Sequence, residues 1–232
     1  MRRKALIIIF VLIFAAGLAI FLYPNFENLL YDINTAGEQK RFFENAANNP
    51  ELNAALESLY NRLREYNTEL YENKQEKLAD PFSYSQPNFD LSAYGIGNNC
   101  VGYISIEKLN VTLPVLLGAN EENMRNGAVH LTETSFPIGG ENTNSVIAAH
   151  RGVTRIMFRN IHLLEEGDRV IIKNFRETLT YEVCEIKIIF PTDVNELLIQ
   201  EGRDLVTLLS CHPLGENYQR YVVFCERADT SV

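Results

Sequence analysis

From Cys100 onward the chain is made of short β-rich runs punctuated by turn residues, and this rhythm restricts the fold more than any other feature of its 232 residues. Runs rich in Val, Ile, Leu, Thr, Tyr and Phe occupy residues 101–106, 111–117, 127–130, 145–150, 169–174, 179–190, 205–211 and 219–227. Eight such runs in succession predict an antiparallel barrel or sandwich. Short helical pieces are expected at 121–125, 155–164 and 194–199. The chain is 46% hydrophobic, enough to fill the core of one such domain.

The segment before this domain has a different period. Asn49-Pro50 makes a good helix start, because the N–H that Pro lacks is unbonded in the first turn anyway. Leu52, Leu56, Leu59, Leu63, Tyr66 and Leu70 then recur at spacings of four and three, which draws one apolar stripe along a helix. The stripe is read as docking on the β-rich domain, since a coiled coil needs several more heptads. The helix must stop before Asp80-Pro81, because the residue preceding Pro is pushed out of the α region.

Residues 5–23 form an uncharged apolar run preceded by Arg2, Arg3 and Lys4. At the helical rise this run spans roughly 28 Å, about one hydrocarbon thickness. It is read as an uncleaved single-pass anchor with its basic end cytoplasmic and the C-terminal part of the chain outside. A cleaved signal peptide is the competing reading, but its apolar region is shorter and ends at a small-residue site. The predicted organisation is therefore 1–24 anchor, 25–79 helical segment, 80–99 linker, 100–228 β domain and 229–232 tail. The formal charge of −9 excludes nucleic acid as a partner, which needs a basic face.

Three residues at run ends carry the chemistry. Residues 205–211 deliver Cys211 to a Pro/Gly/Asn turn, and the next run opens on Arg220. Residues 145–150 end on His150. A thiol, an imidazole and a guanidinium suit acyl transfer through a thioester, with attack, proton transfer and oxyanion binding as their respective roles. Cys100, Cys184 and Cys225 complete the cysteines. Their spacing does not suit a small disulfide scaffold, and a Cys211–Cys225 bridge would block the nucleophile. No CxxC occurs, which argues against structural zinc. Cys225 is an odd number of residues from Arg220 and should face the other way. His212, adjacent to Cys211, should also face away. His130 is read as ordering the loop before the histidine run, His162 as solvated, and Asp193 as a helix cap.

These residues also carry a family resemblance. TLLSC (207–211), followed by PLGEN and Gln219-Arg220, resembles the active-site strand pair of sortases, and SVIAAHRG (145–152) resembles their histidine strand. HLTETSFPIGG (130–140) resembles the segment just before it. Asp80-Pro81-Phe82 is similar to the lid tripeptide of class C sortases, the pilin polymerases. Ser210 and His212 stand where Thr is usual on either side of the cysteine, Gln219 where His often precedes the arginine, and Ala149 where Gly is common.

The resemblance implies a closed eight-stranded sortase β-barrel, with Cys211 as nucleophile, His150 as acid/base and Arg220 as oxyanion binder. It implies that Asp80 lies near the arginine and Phe82 over the thiol. It implies cleavage of an LPxTG-like sorting signal between Thr and Gly, with transfer of the acyl group to a pilin lysine and no metal or organic cofactor. A housekeeping-type enzyme would transfer instead to cell-wall precursor. A non-enzymatic anchored binding module and a hydrolytic cysteine protease are the remaining alternatives.

Overall fold

The computed structural model describes residues 3–4, 7–19, 21–23, 34–35, 37–38, 50–78, 80, 89–96, 99–152 and 156–228. All eight β-rich runs are strands: β1 Cys100–Ile106, β2 Val111–Leu117, β3 Ala128–His130, β4 Thr143–Ala148, β5 Arg169–Asn174, β6 Thr178–Ile189, β7 Asp204–His212 and β8 Gln219–Arg227. They close into a barrel in the order β1-β2-β3-β4-β7-β8-β6-β5.

The barrel is not wholly antiparallel, as the run pattern had suggested. β2 pairs with β3 and β4 with β7 in parallel. Helix α2 (Glu121–Asn126) connects β2 to β3 and returns the chain to the starting end. β4 and β7 are separated by the β5–β6 pair, so no tight turn dictates their direction. β4 also ends earlier than expected, at Ala148, which leaves His150 two residues beyond the strand.

Of the helix expected over 155–164, the described residues 156–164 form only a 3-10 turn at Ile161–Leu163. The backbone there is captured by the turn around His150: Phe158 N donates to His150 O at 3.1 Å, and Arg151 Nε to Arg159 O at 3.3 Å. The piece expected over 194–199 is likewise a 3-10 turn, Val194–Leu197. Asp193 sits at its N-cap position, but its carboxylate accepts from the preceding Phe190 N at 2.9 Å rather than from the turn itself.

The main apolar cluster draws on every strand and fills the barrel, with Ile104, Val115, Ile147, Val206, Leu208 and Val223 among its members. Strand alternation sends Val146, Ala148, Leu209, Val222 and Phe224 to the other face, where they form a second cluster with Met124 and Leu197. Gly102 is required by close packing, because a Cβ there would lie 2.7 Å from Lys173 O on β5.

Helix α1 spans Pro50–Glu72. The predicted stripe docks on the barrel, since Leu56, Leu59 and Leu63 join the main cluster. Each fully buried Leu contributes about 2 kcal/mol. Asn67 adds a polar latch to this interface. Its amide donates to Phe136 O at 3.3 Å and accepts from Phe136 N at 2.7 Å. Residues 7–19 are helical with exposed side chains. Among the described residues, no helix is long and apolar enough to cross a membrane.

Candidate active site

Cys211 and Arg220 are direct partners across the antiparallel β7–β8 ladder. Such partners have Cβ atoms about 5 Å apart on one face. Leu209 and Val222, two residues back from the thiol and two on from the guanidinium, are buried on that face. The pair therefore stands at the rim of the second apolar cluster. Cys225 lies in the main cluster on the other face, as its spacing required, and all four cysteines are free.

His150 approaches from β4. The parallel β4–β7 register places Ala148 against Leu209, and Ala149 N extends the pairing by donating to Leu209 O at 3.1 Å. Two steps beyond Ala148 and two beyond Leu209 lie His150 and Cys211. The histidine is thus aligned with the nucleophile although the strand has ended.

Arg220 is 5% exposed and heavily bonded. Nε donates to Asp80 Oδ1 at 3.0 Å and Nη2 to Asp80 Oδ2 at 2.7 Å, a fork-to-carboxylate pair. Nη1 donates to Asn217 O at 2.7 Å and Gln219 O at 3.0 Å. The backbone carbonyls aim the guanidinium, and the carboxylate occupies its recognition edge. The expected approach of Asp80 to the arginine is therefore present. Pro81 and Phe82 lie outside the described residues.

Two residues upstream of Asp80 tether this segment, and sequence reading missed both. Gln75 is buried at a backbone φ of +50°. Its amide donates to Glu133 O at 3.1 Å and accepts from Ile199 N at 2.6 Å, joining the loops before β4 and β7. Leu78 packs on the second cluster, to which Leu209 and Val222 belong. A single Gln and a single Leu after a helix give no periodic signal.

Both candidate catalytic groups rest in their neutral forms. Burial pushes the Cys211 thiol above its ordinary pKa; Arg220 opposes this, Asp80 adds to it, and Arg151 opposes it. Burial likewise holds the His150 imidazole below its ordinary value. Burial therefore favours an uncharged thiol and an uncharged imidazole near neutral pH.

The residues flanking these two groups are bonded to each other. Ser210 Oγ donates to Ala149 O at 2.7 Å, and Arg151 Nη1 lies 2.9 Å from His212 Nδ1. Arg151 is 6% exposed, with its guanidinium 5.3 Å from the Tyr221 ring centroid. Sequence reading passed over Arg151 because buried arginines are rare and its strand context ends one residue earlier. His130 does order the loop after β3: Nε2 donates to Ser135 O at 2.9 Å and lies 3.2 Å from Thr134 Oγ1. His162 is exposed, as expected.

Comparison with known proteins gives one family. The Sortase domain model matches residues 104–228. Among solved structures, Streptococcus pneumoniae sortase C is similar at 29% identity and a TM-score of 0.74, over 84% of this chain and 98% of that one. Streptococcus agalactiae sortase C1 is similar at 32% identity and a TM-score of 0.69, over 80% and 96%. Bacillus subtilis sortase D shares 27% identity over 54% of this chain, which spans 63% of that relative's length. Bacillus anthracis sortase A shares 28% over 66% of this chain and 72% of its own.

Proposed function

The chain belongs to the sortase family of cysteine transpeptidases, and from that premise we propose that it is a class C, pilin-polymerising enzyme held at the outer face of a Gram-positive membrane by residues 5–23. The observation that carries this reading is the Asp80–Arg220 pair beside Cys211. It is what a lid would form by closing over the oxyanion binder. The likeness to sortase C structures supports the same subclass.

In the proposed reaction His150 takes the proton of the Cys211 thiol, and the resulting thiolate attacks the Thr carbonyl of an LPxTG-like sorting signal. The C–S bond forms as the carbonyl π pair moves to oxygen, where Arg220 stabilises it once Asp80 has moved away. The tetrahedral centre collapses, the Thr–Gly bond breaks, and His150 as imidazolium gives its proton to the departing Gly amine. A pilin lysine amine then attacks the thioester while the now neutral His150 takes its proton; the C–S bond breaks, and the released thiolate recovers that proton, giving an isopeptide bond. Every proton is carried by a side chain of this chain or by the amines themselves.

A second reading, transfer to a cell-wall precursor amine, is favoured by the relatives named sortase A. One experiment separates the two. The full-length chain in detergent is incubated with an LPxTG-type peptide and followed by intact mass, with Cys211→Ala alongside. An acyl adduct on the wild type alone identifies the nucleophile. A lysine-bearing pilin fragment or a wall-precursor amine then discharges it, and the faster acceptor decides the reading. An adduct that survives in Cys211→Ala would exclude both.

A further inference from the structure

His150 lies beyond the last β4 residue, so the strand ladder does not hold it. What spans the gap is a pair of side-chain bonds, one on either side. Ser210 Oγ reaches Ala149 O, and Arg151 Nη1 reaches His212 Nδ1. Residues 149 and 151 enclose the histidine, and residues 210 and 212 enclose the cysteine. We propose that Ser210, Arg151 and His212 are positioning residues that clamp the His150 turn to the end of β7 and so fix the imidazole against the thiol. This inference rests on the reading of Cys211 and His150 as the reacting pair.

The geometry makes the clamp specific. Alternation along β7 turns Ser210 and His212 away from the face of Cys211, so neither competes with substrate for the thiol. Ser210 is fully buried, and its hydroxyl is used by Ala149 O. Arg151 is braced on three sides: Nε donates to Arg159 O, the guanidinium lies over Tyr221, and Nη1 meets His212. The same Nη1 is 3.5 Å from Cys211 O, at the limit of hydrogen bonding. A guanidinium only donates, so His212 Nδ1 accepts and the ring proton sits on Nε2.

This bond makes the clamp sensitive to acid. Protonation of His212 removes the acceptor and sets an imidazolium against a guanidinium. The groups facing His212 do not offset that charge: they are Arg151, the Tyr221 ring at 5.7 Å, and His162 as a further basic neighbour. Burial first, then Arg151 and His162, hold its pKa below the ordinary value. The clamp is therefore intact at neutral pH and opens as the pH falls below the usual histidine range.

The test uses steady-state turnover of an LPxTG-type peptide with an amine acceptor, on the full-length chain in detergent. Arg151→Ala, His212→Ala and Ser210→Ala should each lose about 10- to 100-fold in kcat with KM little changed, because misplacement acts on the reacting geometry. The Arg151→Ala/His212→Ala double variant should be no slower than either single variant. His212→Asn supplies a non-titrating acceptor and should recover most of the rate, with its ratio to wild type rising as pH falls from 7 to 5.

Ser210→Thr keeps the hydroxyl and should stay near wild type. Should an Ala variant fail to fold, His212→Asn and Ser210→Thr still decide the matter. Folded Ala variants at wild-type kcat, or His212→Asn with an unchanged acid limb, overturn the inference alone. A Cys211→Ala variant that still turns over overturns the proposed function, and the inference with it.

Discussion

Asp80 and Arg220 are joined by two parallel hydrogen bonds of 3.0 and 2.7 Å, although 140 residues separate them in the chain. The carboxylate takes the guanidinium edge that would otherwise meet a developing oxyanion, beside the thiol that would create it. In the proposed reading, a resting site of this kind is blocked by its own lid. Two backbone carbonyls, Asn217 O and Gln219 O, aim the same guanidinium independently of that carboxylate.

Removing the carboxylate should expose and activate the thiol. Burial is the main reason the Cys211 pKa is raised, with Asp80 adding to the rise against Arg220. Asp80→Ala should therefore speed iodoacetamide labelling of Cys211, read by peptide mass, by about tenfold, equivalent to about 1.4 kcal/mol. The midpoint of the labelling profile should move to lower pH, since a negative neighbour no longer disfavours the thiolate. Equal rates and midpoints in the two proteins would remove the lid from the account.

Gln75 should act on the same equilibrium from further away. Gln75→Ala breaks its bonds to Glu133 O and Ile199 N and leaves Ile199 N–H without that acceptor. A stability loss of about 1–3 kcal/mol is expected. Labelling of Cys211 should rise as well, although Gln75 does not belong to the tripeptide. Chemical denaturation and labelling measured together decide this. Lost stability with unchanged labelling would make Gln75 a loop tie unrelated to the lid.

The strands were readable because alternation and β-branched runs are local properties, and all eight appear within one or two residues of the predicted ends. The sites at their ends were readable for the same reason, since Cys211, Arg220 and His150 each stand at or just beyond a run. What local pattern could not supply was direction and capture. The parallel β2–β3 and β4–β7 pairings depend on where intervening elements return the chain. The described residues 156–164 lack the predicted helix because His150 O and Arg151 Nε took backbone partners within them. Gln75, Leu78 and Arg151 matter through contacts between distant segments, which no periodicity announces.

Arg220 should be separable from its charge. Arg220→Ala should lower kcat by about 10²–10³-fold through loss of oxyanion stabilisation. It should also raise the Cys211 pKa further, since Arg220 opposes the effect of burial on the thiol. Arg220→Lys restores a positive charge without the planar fork. Its thiol should titrate close to wild type while kcat stays low. A lysine variant at wild-type turnover would show that charge alone suffices and that the fork plays no part.

His130 should make the barrel labile to acid. It is wholly buried, and burial pushes its pKa down to about 4 against the opposing bonds to Ser135 and Thr134. An unfolded histidine titrates near 6.5. Between these values the unfolded chain binds more protons than the folded one, so stability falls as pH falls. The contribution is complete above about pH 6.5, down by about 2 kcal/mol at pH 5, and exhausted near the folded value. Carboxylates stay ionised over most of that window. His150 and His212, also held below their ordinary values, add smaller losses of the same sign. Denaturant unfolding at pH 7.5 and 5.0 should thus show a larger drop for wild type than for His130→Gln, which cannot take up the proton. Parallel drops in the two proteins would mean that the buried imidazole is protonated without unfolding the barrel.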